Sequence, residues 1–333
     1  MRTFVSQLLV VLATLCAAAG VRAQEPAEGY ILTPDKVRIF YKIVGTGPET
    51  LVVVHGGPGN SLESMRADME PLAKGRRVIY YDQRGNGRSD LIADGKKLGY
   101  EYHVADLETL RKHFKLEKMS LLGNSWGGLL ISLYAVAHPD RVERLVLDSS
   151  APPIRRLLED MNDEISRRMN QIYKPEQRAR AKTLWNGENW LKSSDPVAVC
   201  REFYTLVLTT YTYGRSLNIG FKGDVCAGSK DAVRQQQTVN GHIWRSLGDY
   251  DLVPKLAAVK APVLVIHGVA DVIPQRSSEL WASAYPNARL LLFEKSGHMS
   301  HIEQASAFFS AVETFLMGRF PAEAKSVNPP LSH

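Results

Sequence analysis

Short apolar runs recur along the first 150 residues and return after residue 260, and stretches with helical spacing lie between them. Residues 30–32 and 37–44 read as two antiparallel strands around Pro34-Asp35, with partial alternation. Residues 51–54 and 78–81 are continuous apolar runs, as expected of strands covered on both faces. A helix-like segment, 62–72, separates them, and a helix over 102–114 precedes further strands at 119–122 and 145–147. Such alternation predicts a mostly parallel sheet with crossover helices. From about residue 153 to 256 the rhythm changes, and charged helical segments appear at 155–173, 175–190 and 197–211. Strands resume at 262–266 and 289–293, and a helix over 305–317 closes the pattern. The reading is one α/β core in two pieces, 24–152 and 257–320, interrupted by a helical cap over 153–256, with a loose tail at 321–333.

The sharpest chemical signal sits between the strand at 119–122 and the helix that follows it. Gly123-Asn124-Ser125-Trp126-Gly127 places one serine on a sharp turn surrounded by small residues. Glycines relieve the crowding that such a strained turn imposes. Strand, serine turn and helix in this order form the nucleophile elbow of an α/β-hydrolase.

A serine hydroxyl is a weak nucleophile near neutral pH and needs a base, which a third group must orient. In this fold the order along the chain is serine, acid, histidine. Asp271 stands on the loop after the strand at 262–266, and His298 follows the last strand. Ser125, Asp271 and His298 are therefore the expected triad. Asp148, also at a strand end, is the rival acid. His301 reads as a packing or capping residue, His267 as a backbone hydrogen-bonding group and His55 as a turn residue.

The developing oxyanion requires donors placed in advance. One is expected from the backbone N–H of Trp126, at the start of a helix. The other is expected from Gly57, in His55-Gly56-Gly57-Pro58-Gly59 directly after an early strand. Asp82-Gln83-Arg84-Gly85-Asn86-Gly87-Arg88-Ser89 lacks the Lys-[Ser/Thr] ending of a P-loop and reads as a scaffold held by Asp–Arg and backbone hydrogen bonds. Gly45–Gly47 is too short for a dinucleotide fingerprint. His298 and His301 lack further ligands, so no metal and no cofactor is expected.

Composition sets the context. Arg2, an apolar stretch over 8–19 and Val21-Arg22-Ala23 read as a signal peptide, 1–23, cleaved after Ala23. Its apolar stretch is too short for a stable membrane anchor, so export to the periplasm or the medium is expected. Without residues 1–23 the chain has 39 basic against 35 acidic residues, lowering its formal net charge from +6 to +4. Arg155-Arg156 and Arg167-Arg168 are short pairs among acids, read as solvated helix faces rather than a nucleic-acid surface. Cys200 and Cys226 remain as an even pair, and a disulfide is expected in an oxidising compartment.

Together, His55-Gly56-Gly57-Pro58-Gly59, Asp82-Gln83-Arg84-Gly85 with Gly87 and Ser89, and Gly123–Gly128 resemble the prolyl aminopeptidase (proline iminopeptidase) family of α/β-hydrolases. Gly297-His298-Met299 and His301-Ile302-Glu303 are similar to that family's histidine loop. The resemblance covers the core, about two-thirds of the chain. It implies release of an N-terminal residue, often proline, from small peptides through an acyl-enzyme. Family members neutralise the substrate ammonium with cap glutamates beside a tryptophan. Here Trp185-Asn186-Gly187-Glu188-Asn189-Trp190 matches only approximately, and Glu188 reads as surface charge. The same machinery under a differently lined cap would cleave small esters, lactones or amides. A non-catalytic receptor on this fold is the reading from another class, and retention of all three triad candidates speaks against it.

Overall fold

The structure is a computed structural model that describes residues 27–328, so the segment read as a signal peptide lies outside the described residues. Eight strands form one sheet: β1 (Glu28–Leu32), β2 (Arg38–Val44), β3 (Thr50–Val54), β4 (Arg77–Tyr81), β5 (Met119–Asn124), β6 (Val142–Asp148), β7 (Val263–Gly268) and β8 (Ala288–Phe293). Their spatial order is β1-β2-β4-β3-β5-β6-β7-β8. Only the β1–β2 and β2–β4 pairs are antiparallel, and every pairing from β4 to β8 is parallel.

Helices cover both faces. The core helices are α1 (Tyr100–His113), α2 (Trp126–Ala137), α8 (Gln275–Ala284) and α9 (Ala305–Leu316); the cap contributes α3 (Arg155–Ile172), α4 (Pro175–Leu184), α5 (Gly187–Leu191), α6 (Pro196–Leu208) and α7 (Lys230–Leu247). One face of the sheet packs Val52, Val54, Leu121 and Leu147 against α1, α2 and α8, while Leu51, Val53, Leu122 and Val146 meet α9 on the other. Two-sided burial explains why these strands are uninterrupted apolar runs.

Several expectations need correction. The segment 62–72 is not one helix but a four-residue turn, Arg66–Met69, between 3₁₀ turns. Pro71 interrupts it, and the Leu62 N–H is drawn to the Asp82 carboxylate at 2.7 Å. Residues 175–190 break at Trp185, because the Asn186 side chain accepts from Glu188 N–H and starts a second helix. The 18-residue α7 carries no predicted counterpart. Within the tail, Lys325 pairs with Leu290 as an isolated bridge and Ala324 is buried. The cap has its own core around Trp190, Phe203 and Val207, and a Cys200–Cys226 disulfide runs through it.

Candidate active site

Ser125 occupies the step between β5 and α2 with φ 55° and ψ −122°. A non-glycine residue held there costs on the order of 1–3 kcal/mol, so the surroundings must enforce it. They do so from three sides. The Ser125 N–H donates to Asp148 O at 3.0 Å, and its carbonyl accepts from Ala151 N–H at 2.9 Å. A Cβ at Gly123 would lie 2.3 Å from Gly127 O, and one at Gly127 would lie 2.2 Å from Val54 O. Only glycine fits at either position.

Asp271 and His298 are brought together as the spacing of strand ends suggested. His298 Nδ1 lies 3.0 Å from both carboxylate oxygens of Asp271. Ile273 N–H donates to Asp271 Oδ1 at 3.1 Å, fixing the carboxylate's orientation. Burial disfavours the imidazolium of His298, but the Asp271 charge outweighs that penalty and raises its pKa above the ordinary 6.5. Burial likewise opposes the Asp271 carboxylate, while His298 more than compensates and holds its pKa low.

Ser125, His298, Gly56 and Gly57 line one cavity of about 270 Å³ beneath the cap. Trp126 is wholly buried, and only its backbone belongs to the turn. As the first residue of α2 its N–H has no intrahelical acceptor. Its indole Nε1 donates to Gln83 Oε1 at 2.8 Å, and Gln83 Nε2 donates to His55 O at 2.9 Å. One carboxamide thus joins the segments carrying Gly57 and Trp126. Gln83 went unrecognised as a positioning residue because an isolated glutamine in a charged loop gives no periodic or spacing signal.

The loop 82–89 is held by Asp–Arg and backbone hydrogen bonds, with the Asp partners of Arg84 lying outside the loop. Arg84 forms a double hydrogen bond with Asp106 of α1, at 2.8 and 2.6 Å, and reaches Asp35. Asp82 accepts from Arg88 N–H at 2.7 Å. His55 is pushed down to about 4 by burial, and the neutral ring accepts from Gln83 N–H while Nδ1 meets Gly56 O.

The other readings resolve as follows. Asp148 is not the partner of His298; its Oδ2 lies 3.0 Å from His301 Nδ1. His301 therefore packs in the interior, against Phe308, and is hydrogen-bonded to Asp148 rather than serving as a cap. His267 bonds Ser278 Oγ through Nδ1, not the backbone. Glu188 is solvated beside Lys192, with side chains 70% and 76% exposed. Arg167 is solvated, but its neighbour Arg168 is only 7% exposed. Arg168 donates to Thr210 O, Ala270 O and Asp271 O at 2.7–2.8 Å, tying α3 to the acid loop. Arg156 is exposed, and Arg155, its side chain 35% exposed beside Glu159, also borders the cavity.

Among the described residues no group of three or more His, Cys, Asp or Glu is arranged to hold a metal, and no helix is long and apolar enough to cross a membrane.

Residues 49–305 match the family described as alpha/beta hydrolase fold. A proline iminopeptidase of Lactobacillus helveticus is 29% identical over 83% of this chain and 93% of its own. The crystal structure of a proline iminopeptidase from Mycobacterium smegmatis superposes with a TM-score of 0.63 at 23% identity, covering 87% of this chain and 97% of that one. An esterase from Exiguobacterium antarcticum gives 0.60 at 23% identity, with 87% and 99% covered.

Proposed function

Because the chain belongs to the α/β-hydrolase family and is a serine hydrolase, we propose that it is an exported aminopeptidase that works through an acyl-enzyme. The observation carrying this reading is His298, clasped by both oxygens of Asp271 in the cavity that exposes Ser125 on a strained turn.

In the proposed cycle neutral His298 keeps its proton on Nδ1, facing Asp271, and offers the Nε2 lone pair to the Ser125 hydroxyl. Ser125 Oγ attacks the scissile carbonyl as its proton passes to His298. The oxyanion receives hydrogen bonds from the Gly57 and Trp126 N–H groups. The imidazolium returns the proton to the leaving amine, and the C–N bond breaks. Water, deprotonated by the same ring, then cleaves the acyl-enzyme and restores Ser125. The likeness to proline iminopeptidases supports an N-terminal residue as the acyl group. The Cys200–Cys226 bond supports export, since such bonds persist in oxidising compartments.

A second reading, hydrolysis of small esters, lactones or amides, is favoured by the cavity wall. Among the described residues lining it, the permanently charged side chain is Arg155, a cation that would oppose an ammonium.

A substrate panel separates them: a prolyl arylamide, its N-acetyl derivative and a short aryl ester. Aminopeptidase activity predicts that the free amine is cleaved well ahead of the N-acetyl compound. Equal rates would overturn it. Fluorophosphonate labelling of the wild type but not of Ser125→Ala tests the nucleophile, and a mature N-terminus at Gln24 tests the signal.

A further inference from the structure

The proposed cycle leaves one buried acid–base pair of the cavity unused. His301 lines the same cavity as Ser125 and His298, three residues beyond His298 in the turn Ser300–Glu303. Its Nδ1 contacts Asp148 Oδ2 at 3.0 Å, and the Asn124 carboxamide donates to that same oxygen at 3.0 Å. Asp148 is fully buried, and its Oδ1 makes no hydrogen bond among the described residues. Burying a carboxylate with one oxygen unsatisfied is expensive, and such a group calls for an explanation beyond packing.

Charge and hydrogen-bond polarity supply one. An ionised carboxylate only accepts, so the Nδ1 of His301 carries the proton in this contact. With the ring neutral, Nε2 is an acceptor and the pair carries one net negative charge. Asp271 is committed to His298. Among the described residues lining the cavity, the ionisable side chains are Arg155, the two histidines, Tyr204 and Tyr211. Burial raises the pKa of both tyrosines, which keeps them neutral. An amino group entering the cavity therefore meets one acceptor that is backed by a negative charge and free of the proton-transfer chain.

We infer that the His301–Asp148 pair is the amine-binding site of this cavity. The Nε2 of His301 accepts a hydrogen bond from the free α-amino group of the substrate, and the Asp148 carboxylate behind it offsets the ammonium charge. Asn124, next to the nucleophile, holds that carboxylate in place. The substrate class is an unblocked N-terminal residue, and the inference rests on the aminopeptidase reading above.

The test measures inhibition of 4-nitrophenyl ester hydrolysis by prolinamide and by N-acetylprolinamide, using the full chain. It needs no turnover of a peptide, so a failure of the aminopeptidase reading in the substrate panel is distinguishable from a failure here. In the wild type prolinamide should bind about tenfold or more tightly than the N-acetyl compound, the scale of one hydrogen bond to a charged group. His301→Phe, His301→Gln and Asp148→Asn should bring that ratio towards one. A ratio near one in the wild type, or a ratio that survives in the variants, would overturn the inference. A role confined to packing would weaken both inhibitors together and leave the ratio intact, which also overturns it. His301→Gln and Asp148→Asn nearly preserve volume and keep the test available if the phenylalanine variant does not fold.

Discussion

Gln83 Oε1 accepts the indole N–H of Trp126 at 2.8 Å, while the other end of the same carboxamide donates to His55 O. The two backbone segments proposed to face the oxyanion are therefore spaced by one side chain. Oxyanion stabilisation depends on donors fixed before charge develops, and loss of one donor costs about 10²–10³ in rate. Gln83→Leu should lower kcat by about tenfold to a hundredfold and leave KM nearly unchanged. Steady-state kinetics on an aryl ester checks this. A rise in KM with kcat intact would show that Gln83 merely shapes the pocket.

The pH profile should report His298. The active ring is neutral, so activity falls as pH drops through its folded-state pKa, which lies above 6.5 because Asp271, aided by Asp148 and Glu303, outweighs the burial penalty. The acid limb of kcat/KM should therefore have its midpoint above 6.5. Asp271→Asn removes the main charge that raises it, so the limb should move to lower pH while kcat falls by about 10⁴. A limb that stays in place in the variant would detach Asp271 from the base.

Arg168 donates to Glu164 through Nε and to three backbone carbonyls, two of them on the loop of Asp271. Removing it leaves buried acceptors unpaired, each costing about 1–3 kcal/mol. Arg168→Ala should lower the unfolding free energy by about 2–4 kcal/mol and reduce kcat as the acid loop loosens. Denaturant unfolding and kinetics on the same preparation check both effects. An exposed neighbour, Arg167→Ala, should change neither.

The Cys200–Cys226 bond closes a loop across 26 residues of sequence, and Phe221 and Val225 within or beside it line the cavity. Chain-entropy arguments assign such a bond about 3–4 kcal/mol. Cys200→Ser with Cys226→Ser should lower thermal stability and raise KM, because that cavity wall loses its tether. Thermal scans with and without reductant, with KM measured alongside, check this.

All eight strands were legible because each is a two-sided buried apolar run or an alternating edge, and Ser125, Asp271 and His298 follow from their positions at strand ends. The cap was harder. The α7 buried face, Val233, Gln236, Val239 and Ile243, includes a glutamine within Gln235-Gln236-Gln237, which hides the apolar stripe. Gln236 tolerates burial by donating to Val225 O, a contact no local pattern announces. Arg168 was misread, and the Asp148 partner of His301 went unforeseen, for the same reason. A solvated arginine and one bonded to carbonyls a hundred residues away look identical in a helix, and the partner of His301 lies 153 residues upstream.

The backbone N–H of His298 donates to Tyr211 O at 2.8 Å, and Glu303 accepts from Tyr213 N–H at 2.7 Å. With Arg168 gripping the neighbouring loop, the roof over the pocket doubles as the mould that shapes the proton relay. Lifting that edge would break the bonds that seat the histidine loop. The fit of the roof to the core and the placement of the imidazole are thus one structural variable.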